Sequence, residues 1–169
     1  MKNGKNAKNI TLIGMPGAGK STVGVVLAKI MGYEFIDSDL VIQKQTGKLL
    51  HEIISEKGNK GFIEVENEIN SKLEVENSII ATGGSVVYCK DAMKHLAEIS
   101  TIVYIKLSYE EIKKRLGDLE ERGVVLDDGE TLKQLYDERV VLYEKYADVI
   151  FDAEGKGIQE SASGIAKKI

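Results

Sequence analysis

The chain has 169 residues, a formal net charge of −4, a 43% hydrophobic share and a single proline, which suits one domain burying roughly 70% of the surface its unfolded chain exposes and excludes a disordered chain or one needing a metal or disulfide staple. The mild acidity gives no electrostatic footprint for nucleic acid or an anionic membrane, and no run approaches the ~20 apolar residues of a membrane span. Cys89 is the only cysteine and the start, MKNGKNAKN, has no apolar signal core, so no internal disulfide is expected, the first residues read as a frayed tail, and a reducing cytoplasm is the expected compartment.

Strand-like and helix-like segments alternate along the chain, with no internal repeat and no low-complexity linker. Residues 8–13 (KNITLI) read as a strand, followed by a helix over 19–31 with Val23, Val26, Leu27 and Ile30 at helical spacing and Gly32 as its C-cap. A short strand at 34–36 leads to helices at 39–46, 49–57 and 60–76, the last with Phe62, Val65, Ile69 and Leu73 on one face. Strands at 78–82, 101–107 and 148–152 alternate with helices at 90–98, 109–116, 130–146 and 157–169, while the charged, glycine-containing stretch 117–129 reads as a mobile loop. Five strands alternating with helices imply an α/β fold: a three-layer α/β/α arrangement around a five-stranded parallel sheet, with ligands beyond the carboxyl ends of the strands.

Residues 14–21, GMPGAGKS, fit G-x-x-x-x-G-K-[ST], with a strand before and a helix after. Gly14, Gly17 and Gly19 permit backbone angles that a side chain would forbid, so that successive N–H groups around Ala18 turn inward as an anion nest backed by the helix dipole. Lys20 is placed to neutralise the β/γ-phosphates and Ser21 to ligate Mg²⁺; Thr22, inside the helix, either joins the nucleotide site or bonds back to the preceding turn. A nucleotide with Mg²⁺ is therefore the expected ligand.

The second strand ends in FIDSDL, with Asp37 and Asp39 two residues apart. Phosphoryl transfer wants one carboxylate near the metal and another near the attacking hydroxyl, which suits Asp37 and Asp39 in that order, although Ser38 or Asp39 also reads as an ordinary helix N-cap. The third strand ends in ATGGSVV, where Gly83 and Gly84 allow close approach by a substrate as readily as a plain strand-to-helix turn. The chain has twenty lysines but only three arginines, Arg115, Arg122 and Arg139, all in or beside 117–129 and the helix after it. A planar fork suits anions and rings better than a point charge does. Arg122 is placed to close onto a transferring phosphoryl group, Arg115 to stack on the base, and Arg139 to face the acceptor. His51, His95 and Cys89 show no partner at ligand or catalytic spacing, and Tyr136, Tyr143 and Tyr146 read as packing residues.

Taken together, GMPGAGKST, FIDSD, ATGG, Arg122 and DERVVLYEKYAD resemble the shikimate kinase family over nearly the whole chain. The resemblance implies a P-loop, nucleoside-monophosphate-kinase-like fold with strand order 2-3-1-4-5, an acceptor-binding segment over 40–77 and a lid over 117–129. It implies transfer of the ATP γ-phosphoryl group to the 3-hydroxyl of shikimate by a monomer. Lys20, Ser21 and Asp37 would hold phosphate and Mg²⁺, Asp39, Gly83, Gly84 and Arg139 the acceptor, and Arg115 and Arg122 the nucleotide.

The sequence also departs from the family's pattern. Where the family carries Phe-Arg-x-x-Glu, with an arginine that grips the shikimate carboxylate, this chain has Phe62, Ile63 and Glu66; the third acceptor-site glycine is Ser85, and Val141 replaces a proline. Loss of a charge-assisted bond of ~1.5–3 kcal/mol would weaken a carboxylate acceptor roughly ten- to a hundred-fold, unless Arg139 alone or Lys60 takes over. A paralogous kinase for another small hydroxylated metabolite, a sugar-acid kinase, a nucleoside monophosphate kinase and a non-catalytic nucleotide-binding regulator are the alternatives. The lack of arginine in 40–77 counts against the nucleoside monophosphate kinase, and the intact cradle against the regulator.

Overall fold

In the computed structural model, which describes residues 9–117, 127 and 129–169, the first described element is a strand buried along its whole length. This is β1 (Asn9–Ile13), flanked in a parallel sheet by β3 (Ser78–Ala81) and β4 (Ser100–Lys106), with β2 (Glu34–Asp37) and β5 (Val149–Asp152) outside them. The order β2-β3-β1-β4-β5 is the expected one. Leu12 stands opposite Ala81 on one side and Val103 on the other, a register that places the carboxyl ends of β1, β2 and β3 side by side.

Helices flank the sheet: α1 (Lys20–Met31), α2 (Ser38–Thr46), α3 (Leu50–Asn70), α4 (Lys90–Ile99), α5 (Tyr109–Leu116), α6 (Leu132–Tyr146) and α7 (Ile158–Ala166); α1, α4, α5, α6 and α7 bury apolar side chains in the main core, whereas α2 and α3 meet largely in a small cluster of their own. In α1, Val23 and Leu27 are buried, but Ile30 is 44% exposed, so its stripe is narrower than the spacing suggests. Gly32 ends the helix in the left-handed region (φ 69), its N–H bonded to Ala28 O, as expected of a C-cap. Two buried polar residues tie the amino-end edge of the sheet: the Asn9 amide donates to Val75 O and Ile99 O and accepts from Ser78 N–H, and Thr11 bonds Ser100 at 2.7 Å. Burial without such partners would cost these groups ~1–3 kcal/mol each.

The expected helices 49–57 and 60–76 are continuous in α3 except at Gly58, whose φ 70, ψ 179 is a conformation open essentially to glycine alone. The second half stops at Asn70 rather than 76. Turns from Lys72 N–H to Ile69 O and from Leu73 N–H to Asn70 O swing Leu73 into the sheet core, away from Phe62 and Ile69, which pack in a separate small cluster with Ile42 and Ile53. A short 3-10 turn at Val86–Tyr88, too brief to leave a periodic signal, follows β3. Among the described residues no helix is long and apolar enough to cross a membrane. Most of the expected lid lies outside the described residues.

Leu27 is wholly buried between α1 and the sheet. Leu27→Ala is expected to cost about 2–5 kcal/mol, read as a lower urea midpoint at unchanged m-value.

Candidate active site

The turn from β1 into α1 is shaped by glycine. A Cβ on Gly14 (φ 151) would lie 2.8 Å from Ile105 O, and Gly19 (φ 90) is itself the N-cap of α1. Ala18 N–H closes the loop onto Met15 O at 3.1 Å. Lys20 enters α1 with only 8% of its surface exposed, its ammonium donating to Gly14 O at 2.8 Å and Met15 O at 2.9 Å. An ammonium has three donors, so one remains. Burial lowers its pKa from 10.5 to about 8, against the pull of Asp39, Asp37 and Glu66 and with a push from Arg139. A lysine so poised is held upright by loop carbonyls and gains strongly from an arriving anion.

β2 delivers the acidic pair. Asp37 is the N-cap of α2, its Oδ1 accepting Asp39 N–H at 3.0 Å and its Oδ2 accepting the Ser21 hydroxyl at 3.3 Å. The cap is therefore Asp37, not Ser38 or Asp39; the Ser38 hydroxyl is buried without a partner, because the extended β2 geometry carries through Asp37 and only its carboxylate reaches forward to the free N–H. Asp39 is left half-buried at the cavity wall, with its carboxyl above the usual range through burial and then the neighbouring Asp37, opposed by Lys20.

Across from the cradle lies a cavity of about 380 Å³, bounded by the cradle itself, Asp39, the turn at 83–85 and Arg139. Leu50, His51, Ile54 and Phe62 of α3 form its apolar and aromatic side. Gly83 and Gly84 are required by close approach: a Cβ on Gly83 would sit 3.0 Å from Glu66 Oε1 and 3.1 Å from Asp39 Oδ1, and one on Gly84 2.7 Å from Pro16 Cδ and 3.0 Å from an Arg139 terminal nitrogen. Arg139 is 2% exposed; its guanidinium stands over the Tyr88 ring at 5.4 Å, and its Nε has no partner.

Lys20, Ser21, Thr22, Gly17, Gly19, Asp39, Gly83, Gly84 and Arg139 thus share one cavity. Arg115 does not line it: it sits beside the cradle, bonded to Glu111 at 2.8 Å and to Gly17 O at 3.4 Å. Arg122 lies outside the described residues. Lys60 is exposed and does not border the cavity, so it does not stand in for an arginine at 63; Ile63 is half-buried against the core.

Three contributions to the site carry no local signal in the sequence. Tyr143 packs on Tyr104 as its spacing suggests, but its hydroxyl also donates to Gly84 O at 2.6 Å and pins the turn after β3. His51 borders the cavity, although no sequence partner marks it. Glu66, fully buried, takes a 2.6 Å bond from the Ser85 hydroxyl and leaves Oε1 without a partner; burial above all pushes its pKa from 4.5 to about 7. Only the folding of α3 and α6 onto the turn after β3 creates these pairings, and that contact is not local in sequence.

A glycine-built phosphate cradle opening onto an acceptor cavity at the carboxyl ends of a parallel sheet defines a P-loop small-molecule kinase. The shikimate kinase family profile matches residues 16–169, and the chain belongs to that family. It is 38% identical over 164 residues to a shikimate kinase of Thermodesulfovibrio yellowstonii, covering 95% of this chain and 94% of that one. It is 39% identical over 147 residues to a shikimate kinase of Clostridium botulinum, covering 85% and 86%. Among solved structures, the shikimate kinase from Acinetobacter baumannii in complex with shikimate superposes with TM-score 0.88 at 28% identity, covering 97% of this chain and 93% of that one. The Aquifex aeolicus shikimate kinase gives 0.80 at 31% identity, covering 94% of each.

The native state holds a proton on Glu66 that the unfolded chain releases near pH 4.5. Its contribution is therefore full below that pH and is lost as pH rises through about 7, a swing of roughly 3 kcal/mol. Denaturation midpoints are expected to fall between pH 5 and pH 8, and Glu66→Gln to flatten that fall.

Proposed function

We propose that this chain transfers the γ-phosphoryl group of ATP to the 3-hydroxyl of shikimate, using the residues of the cradle and its facing cavity. The observation that carries the reading is the opposition of Lys20 and Asp39 across one cavity, each acting on the other's proton affinity. The family membership and the shikimate-bound relative support the choice of acceptor.

Asp39 orients the acceptor hydroxyl and takes its proton as the oxygen attacks. Its raised proton affinity suits a base better than an ordinary surface carboxylate would. Lys20 and the loop N–H groups neutralise the charge spreading over the γ-phosphoryl oxygens. Arg139, buried with an open Nε, grips the acceptor carboxylate. Tyr143 holds Gly84 in place beneath the acceptor. We assign Arg122 to the transferring phosphoryl group and Arg115, beside Gly17, to the base.

The adjoining Ser21 hydroxyl and Asp37 carboxylate offer hard oxygen donors, and no group of three or more His, Cys, Asp or Glu among the described residues forms a metal cage of its own. That set fits Mg²⁺ bound chiefly through nucleotide phosphates and water. When bound, Mg²⁺ neutralises phosphate charge. Cys89, buried and unpaired, is compatible with a monomer working in a reducing cytoplasm.

A second reading is favoured by one observation: Ile63 and the exposed Lys60 leave Arg139 as the sole described arginine at the cavity. On that reading the acceptor is another small hydroxylated metabolite. ATP turnover measured against shikimate and a panel of polyols and hydroxy acids separates the two, the first predicting shikimate as the preferred acceptor. Asp39→Asn is expected to lower kcat by ~10²–10⁴ while ATP affinity by calorimetry persists; full activity in that variant removes Asp39 from the chemistry. Lys20→Met is expected to abolish turnover, and surviving activity would refute the phosphate site.

A further inference from the structure

Glu66 has no part in the steps above, yet it is the most deeply placed carboxyl at the acceptor turn. It projects from the second half of α3 with no exposed surface. Its Oε2 accepts the Ser85 hydroxyl at 2.6 Å and lies 3.7 Å from the Cys89 thiol, whose other contact is Ile63 O at 3.5 Å. Its Oε1 has no partner and sits on the same side of Gly83 as Asp39 Oδ1. No described cation lies within ion-pair distance of it. On the far side of the same turn, Arg139 is equally buried, touches Gly84, and keeps an open Nε. A buried acid and a buried guanidinium that decline to pair are unusual, because each charge alone is costly. Here the neutral donors Ser85 and Cys89 serve the acid, while the Tyr88 face supports the guanidinium at 5.4 Å.

We propose that Glu66, locked to Ser85, is a positioning residue for the acceptor site: it clamps the turn at Gly83 and Gly84 onto α3 without engaging Arg139, which stays available for the anionic group of the acceptor. Ile63 and Ser85 then belong together. An aliphatic side chain removes the cation from the acid's neighbourhood, and a hydroxyl supplies the hydrogen bond in its place. This deepens the shikimate kinase reading and rests on it.

The arrangement holds while Glu66 carries its proton. Burial pushes its pKa to about 7, with the Ser85 bond lowering it, Asp39 from α2 raising it, and Arg139 from α6 and the Cys89 bond lowering it. Lys20 from α1 and Tyr143 from α6 also feel its charge. Once ionised, Glu66 attracts Arg139 and repels an incoming carboxylate. Acceptor affinity therefore falls as Glu66 ionises, a loss distinct from the change in ATP affinity that follows the charge of Lys20 near pH 8.

The test is KM for shikimate and for ATP from pH 6 to pH 9, with wild type, Glu66→Gln, Ser85→Ala and His51→Gln. In wild type the shikimate KM is expected to rise about tenfold across the range, the equivalent of one charge-assisted bond, and to do so separately from any rise in KM for ATP as Lys20 loses its charge near pH 8. Glu66→Gln, which keeps shape and polarity, is expected to hold the low-pH KM throughout. Ser85→Ala is expected to raise shikimate KM at every pH with kcat retained. His51→Gln keeps the wild-type slope, whatever it does to kcat. A pH-flat wild-type KM, an undiminished slope in Glu66→Gln, or a slope that vanishes in His51→Gln overturns the role of Glu66. Absence of both shikimate turnover and shikimate binding by calorimetry overturns the kinase reading beneath it as well.

Discussion

A lysine ammonium removed from water, with two loop carbonyls for company, is the constraint to which the rest of the molecule answers. Lys20 reaches that position because the backbone ahead of it follows a path open to glycine, with Gly14 hard against Ile105 O and Gly19 capping α1 in the left-handed region. That path requires β1 to lie deep in the sheet, between β3 and β4. The parallel order then brings the ends of β2 and β3 to the same edge, so Asp37, Asp39, Gly83 and Gly84 arrive around the lysine without any long-range device beyond sheet pairing.

Charge organises the cavity more than shape does. Lys20, Asp39 and Glu66 are coupled through their proton affinities, the charge of Arg139 acts on Lys20 and Glu66, and burial is the largest influence on all three acid–base groups. Such a site is poorly stable as an arrangement of charges in a low dielectric. On the proposed reading, it is suited to a ligand that brings anionic phosphates to one end and an anionic or hydroxylated acceptor to the other. Leu50, His51, Ile54 and Phe62 of α3 give the space between them an aliphatic and aromatic side.

Much of this is legible in the residues because the relevant signals are local. GMPGAGKS declares its own turn, the five apolar strands declare the sheet, and Gly32 declares the end of α1. The acceptor side is less legible. Arg139, Gly83 and Gly84 stand out through residue type, but Glu66, Tyr143 and His51 acquire meaning only when α3 and α6 fold onto the turn after β3, across separations that periodicity cannot see. The cap of α2 falls at Asp37, one residue ahead of Ser38 and two ahead of Asp39, because sequence alone does not say where β2 ceases to be extended. Leu73 continues a helical stripe by spacing, yet the chain turns at Asn70 to give that side chain to the larger core.

Gly58 leaves a different legacy. It splits α3 into two rods, one carrying Leu50, His51 and Ile54, the other Phe62 and Glu66, and it does so in a backbone state that no other residue type holds without strain. One side of the cavity is thus carried by two helical rods joined at Gly58, while the other is built on the ends of the strands. The relative placement of His51 and Phe62 along that wall therefore passes through a position where only glycine sits without strain, so a side chain there would disturb the wall without replacing any residue that lines it.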